Sequence, residues 1–120
     1  MKLEELQVYQ LSMEIGEIIW ELVNEWDYFI KDTVGKQLVR AVDSIAANLS
    51  EGYGRFSYKE NKQFCYYSRG SLSETRTWLK KSKTRNLIEE KEYILIEEKL
   101  QITGKMLNKY IKSIGNKNSH

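Results

Sequence analysis

Apolar residues recur along this chain at steps of three and four, and no proline interrupts them. That period belongs to amphipathic helices. Val8, Leu11, Ile15, Ile18 and Leu22 trace one heptad seam. Tyr9, Met13, Gly16, Trp20 and Val23 trace a second beside it. The spacing predicts a first helix over residues 3–26 with a very wide apolar face. One broad stripe suffices for a helix of a small bundle. The excess suits a subunit interface; the plainer alternative is a helix at the centre of a monomer. A linker is expected from Asp27 to Asp32. The second helix turns Leu38, Ala41, Val42, Ile45 and Leu49 inward, with Gly52 read as its left-handed stop.

Ser57-x-x-Glu60 forms a capping box that starts a third helix near Tyr58. Its inward positions read as Phe64, Ser68, Ser71, Thr75, Trp78 and Ser82, flanked by Leu72 and Leu79. Gly70 stands in mid-helix, where glycine costs about 1 kcal/mol against alanine. Such a glycine is expected where another backbone comes close. Asn86 tolerates the left-handed conformation that closes this helix. Glu89 and Glu90 suit the dipole of a fourth helix. Ile96, Leu100, Thr103, Leu107, Tyr110 and Ile114 make its seam, and Gly115 ends it. Residues 116–120 read as a frayed tail. Short connections between long helices make successive helices antiparallel. The predicted class is therefore all-α, an up-down-up-down four-helix bundle of residues 1–115.

A length of 120 residues makes this one domain. The lone Cys65 excludes an internal disulfide framework and suits a reducing compartment. No apolar run is long enough for a membrane span. The first residues are acidic where a secretory signal would be basic and then apolar. A cytoplasmic location is expected.

Net charge is only +2, but it is segregated. Residues 1–27 hold one Lys against seven acids, and residues 55–86 hold nine basic residues against two acids. Residues 101–120 hold four Lys and no acid. On helix 3, Lys59, Lys62, Tyr66, Arg69, Ser73, Arg76, Lys80 and Lys83 advance by three and four and form one stripe. It runs about 36 Å at the helical rise. Such a track can follow a phosphate backbone, with counterion release driving binding. Arg55 in the preceding turn and Lys105, Lys109 and Lys112 on helix 4 extend the candidate nucleic-acid surface. The aromatic and basic turn from Tyr53 to Lys59 offers rings for stacking bases, or for closing the bundle end. The opposing structural use pairs the basic stripe between subunits with Glu14, Glu17, Glu21 and Glu25 of helix 1.

Catalytic chemistry has no foothold. The only His is His120, so no Cys–His or Ser–His constellation exists. No metal-ligand cluster is expected, and Glu-x-x-His is missing. Gly52-x-Gly54 lacks the third glycine of a dinucleotide loop. No enzyme, metal or cofactor is expected.

Two segments carry a resemblance: Ser44-Ile45-x-x-Asn48-x-x-Glu51-Gly52-x-Gly54-Arg55-x-Ser57 and Arg69-Gly70-Ser71-Leu72-x-Glu74. Gln37, Arg40, Ala41 and Val8-Tyr9-Gln10 support it. Over residues 3–114 the chain resembles the small bacterial four-helix bundles encoded in intervening sequences of 23S ribosomal RNA, the S23 ribosomal-protein family. That family is similar to the accessory variability determinant proteins of diversity-generating retroelements. The resemblance implies a homo-oligomer, a pentamer among the options, with RNA or a reverse transcriptase as partner and no established catalysis. Two departures stand out: Ala46 where most relatives carry proline, and Val39 where a second basic residue often precedes Arg40. Asn48, Glu51, Gly52, Arg69, Gly70 and Glu74 read as structural. Arg69 is expected to be buried against Glu51 or Glu74, and Asn48 to bond across helices.

Overall fold

The computed structural model describes residues 2–115. Among them there is no strand, and four long helices make up the fold: α1 Gln7–Asn24, α2 Lys36–Tyr53, α3 Tyr58–Thr84 and α4 Glu90–Ser113. The all-α four-helix bundle expected from the periodicity is what forms. It is a rod of 53 × 24 × 21 Å. α1 packs on α2 and α4, and α3 packs on α2 and α4, so α1 and α3 lie on opposite sides. The register follows from close contacts. Ser68 Oγ of α3 donates to the Ile45 carbonyl of α2 at 2.8 Å. Asn61 of α3 meets Tyr110 of α4 at 3.4 Å. Lys99 of α4 reaches Glu14 of α1 at 2.7 Å.

Both ends of α1 differ from expectation. A 3-10 turn over Leu3–Glu5 precedes it, and extended backbone at Leu6 separates the two. The expected linker is helical instead. Tyr28–Ile30 forms a helical turn after Asp27, and a π-helical segment Lys31–Gly35 leads straight into α2. Gly35 explains why the chain can pass there. A Cβ on it would stand 2.6 Å from Val23 Cγ1 of α1, far inside contact distance.

The core holds Ile15, Ile19, Leu38, Val42, Ile45, Leu49, Leu79, Ile96, Leu100 and Leu107, all essentially inaccessible. The buried face of α3 is Cys65, Ser68, Leu72, Thr75, Leu79 and Ser82. This corrects the expected Phe64, Ser71 and Trp78, which are only half-buried. Small residues on this face let α3 approach α2, and their hydroxyls are satisfied. Thr75 donates to the Ser71 carbonyl at 2.7 Å and Ser82 to the Trp78 carbonyl at 2.8 Å. No buried side-chain polar atom among the described residues lacks a partner, as a well-packed interior requires.

The connections are tight. Ser57 caps α3, its Oγ accepting from the Glu60 amide at 3.0 Å. Asn86 closes α3 with φ 60°, and the Leu87 amide reaches back to the Ser82 carbonyl at 2.9 Å, a Schellman closure. Gly115 follows α4 with φ 80°. Gly52 does not stop α2. It lies inside the helix, and a Cβ there would meet Asn61 Oδ1 at 2.7 Å and Phe64 Cβ at 2.9 Å. Close approach of α3, not a left-handed dihedral, demands that glycine. Ala46 sits buried in unbroken helix. The expected frayed tail falls outside the described residues.

Candidate nucleic-acid interface

The stripe on α3 faces outward, yet its cations differ in their surroundings. Arg76 forms a two-point pair with Glu97 of α4, its Nε donating to Oε1 at 3.2 Å. That bond holds the guanidinium firmly charged, against the smaller effect of burial. Lys83 pairs with Glu90 at 2.7 Å and lies over the Tyr93 ring. Arg55 pairs with Glu51 at 2.8 Å and Glu60 at 3.7 Å. These three candidate contacts each have a carboxylate partner within the chain. Among the described residues, no carboxylate comes within ion-pair distance of Lys59, Lys62, Lys80, Lys105 or Lys109. Lys112 is exposed beside them on α4.

The antiparallel hairpin of α3 and α4 sorts these charges to two ends. At one end Gly115 reaches the side of Tyr58, and Arg69 donates to Asn108 at 2.9 Å. There the first half of α3 with its preceding turn, and the last half of α4, bring together Arg55, Lys59, Lys62, Arg69, Lys105, Lys109 and Lys112 with Glu60 as their one acid; Glu51 of α2, and Glu4 and Glu5 ahead of α1, lie at the same end. At the other end Arg76, Lys80, Lys81, Lys83, Arg85, Lys91 and Lys99 meet Glu74, Glu89, Glu90, Glu92, Glu97 and Glu98. The first end is strongly basic and the second almost neutral.

The motif residues hold helices together in ways other than expected. Arg69 is exposed, not buried; it bonds Asn108 and stacks over the Tyr66 ring at 5.1 Å. Glu74 pairs with Arg40 of α2 at 2.9 Å and accepts from Trp78 Nε1 at 3.3 Å. Glu51 serves Arg55. Asn48 donates along its own helix to the Ser44 carbonyl at 2.8 Å. Gly70 is exposed, and nothing lies within 4 Å of a Cβ placed on it. Among the described residues no backbone makes the close approach expected at Gly70.

Aromatic rings gather at the basic end. Phe56 is entirely exposed in the α2–α3 turn, and Tyr58, Tyr66 and Tyr67 are each about half exposed. Tyr67, which the stripe spacing skipped, stands edge-on to Phe64 at 5.4 Å. Lys81 and Arg85 also escaped that spacing; they border a shallow depression with Lys80 at the neutral end. The cue for all three was exposure, which only the helix pairing reveals.

α1 contributes a separate surface. Met13 and Trp20 of the second seam are exposed, while Gly16 and Val23 are buried. Trp20, Val23, Gly35 and Val39 line an apolar groove of about 390 Å³ between α1 and α2. Nearby, burial and then Glu17 push the Asp43 carboxyl above its usual range. Cys65 is buried, and desolvation raises its thiol to about 11, so it is unsuited to nucleophilic work. The described residues contain no group of ligands fit for a metal ion, and no helix long and apolar enough to cross a membrane.

Comparison with known proteins adds a family. The profile described as 23S rRNA-intervening sequence protein matches residues 4–109. A crystal structure of a protein of unknown function from the S23 ribosomal protein family of Bacteroides thetaiotaomicron is similar, with a TM-score of 0.79. The two chains are 23% identical, over 88% of this chain and 99% of that one. No curated protein matches the sequence.

Proposed function

The chain belongs to the 23S rRNA-intervening sequence protein family, and from that premise we propose that it is a non-catalytic, self-associating bundle that binds structured RNA. One observation carries this reading: the concentration of cations at the end where α3 begins and α4 finishes. Among the described residues no carboxylate lies within reach of Lys59, Lys62, Lys105 or Lys109, so their charge is available to phosphates. Arg76 and Lys83 are excluded from the contact surface because Glu97 and Glu90 already hold them. The binding surface is thus shorter than the full helix and spans both helices of the hairpin. Self-association falls to the α1 side, where Met13 and Trp20 lie exposed beside the apolar groove.

Titration of an RNA hairpin across a salt series tests the reading. The apparent affinity falls steeply with salt, because binding displaces condensed counterions. Charge reversal at Lys59 and Lys62 lowers both the affinity and the salt slope. An affinity indifferent to salt and to these substitutions would sink it.

A second reading rests on the placement of α1 and α3 on opposite sides of the bundle. Among the described residues Glu17, Glu21 and Glu25 form no ion pair with α3, which leaves them for a second chain. In that case the protein is an interaction scaffold. Salt then disperses the assembly, and RNA leaves its mobility unchanged.

A further inference from the structure

The outer face of α3 contains an opening that no contact among the described residues explains. Glycine is the least favourable helix-interior residue after proline, yet Gly70 touches nothing that a Cβ would displace. A helical side chain covers the surface one turn toward the N-terminus from its own Cα. A side chain at position 70 would therefore lie over positions 66 and 67. Glycine leaves that cover off both rings.

Those two rings are held in place. Arg69, anchored on Asn108, lies over Tyr66. Phe64 meets Tyr67 at an interplanar angle of 88°. Both tyrosines remain about half exposed. One and two turns before Tyr66 on its face stand Lys62 and Lys59, neither with a carboxylate of the described residues in reach; the matching positions before Tyr67 are Gln63 and Glu60. Ordered rings next to unpaired lysines are an arrangement that takes unpaired bases by stacking and their phosphates by charge. A duplex offers such rings nothing, since its base faces are already stacked.

Resting on the RNA reading above, we propose that Tyr66 and Tyr67, opened by Gly70 and preceded on the helix by Lys59 and Lys62, form a stacking site for unpaired bases. The single-stranded part of a structured RNA, a loop, bulge or end, is what this face recognises. A second copy of the chain is the less favoured occupant. A helix seated here would have to strip water from Lys59 and Lys62.

The test is fluorescence anisotropy with labelled oligouridine and an RNA duplex of equal length. The wild-type chain binds oligouridine about tenfold more tightly than the duplex or better. Replacing both tyrosines by alanine removes that preference, and so does Gly70→Leu, which covers the rings without disturbing the core. Thermal melting confirms that each variant is folded. Lys59→Gln with Lys62→Gln weakens both RNAs together. Equal affinity for the two RNAs, unmoved by the tyrosine and glycine substitutions, overturns the stacking site and leaves RNA binding intact. Absence of any RNA binding by the wild-type chain overturns both. Loss of a self-associated species in Gly70→Leu, with oligouridine affinity kept, assigns the opening to a second copy and overturns the proposal.

Discussion

Single residues in this bundle act through what stands opposite them. Gly52 and Gly70 make the contrast. A Cβ at Gly52 collides with Asn61 and Phe64, so Gly52→Ala forces α2 away from α3 and destabilises by about 1–3 kcal/mol. Gly70→Ala meets open space and gains helix propensity, raising stability by about 1 kcal/mol. Thermal melts of the two variants move in opposite directions, and a parallel shift would refute this assignment of roles. Asp43 supplies a pH-dependent case. Burial and Glu17 raise its pKa in the folded chain, so the unfolded chain ionises there first. Folding stability is therefore lost as pH rises through the carboxylate range. Asp43→Asn melts higher than the wild type at neutral pH, and the difference closes in acid. Neither role was legible in the sequence. A glycine before a turn looks the same whether it serves a dihedral or a neighbouring helix. The Asn61 and Phe64 that decide the matter belong to α3.

Among elements, the helices were readable and their ends less so. Apolar period, the Ser57 cap, Asn86 and Gly115 all marked real boundaries. Ser57→Ala removes the one side-chain acceptor at the start of α3 and costs about 1 kcal/mol. A denaturant melt compared with Glu60→Gln separates the cap from the charge beside it. The stretch Asp27 to Asp32 looked like a linker because its apolar residues continue neither seam. It is helical because the π turn resets the phase before α2, and Gly35 lets that turn lie against Val23. The ion pairs of Arg76 and Lys83 were hidden for a related reason. Spacing within α3 shows which cations share a face, while their partners depend on how α4 folds back. The chain does contain the clue: counting equally outward from the loop between Thr84 and Glu90 places Arg76 beside Glu97 and Glu98. Helix pairing turns a uniform stripe into a basic end and a compensated one.

At the scale of the whole molecule the wide apolar face of α1 is half used. Gly16 and Val23 seat α2, leaving Met13 and Trp20 outside. Trp20→Glu places a charge on that surface without touching the core. It lowers the mass measured by light scattering while circular dichroism stays unchanged; an unaltered mass removes the α1 face from self-association.

The unequal ends also have a kinetic consequence. A rod 53 Å long with positive charge gathered toward one tip carries an electric moment along its axis. In the field of a polyanion such a body turns during diffusion and arrives tip-first, so orientation is partly solved before contact. Capture then becomes fast in dilute buffer and slow in concentrated buffer, with the residence time less affected.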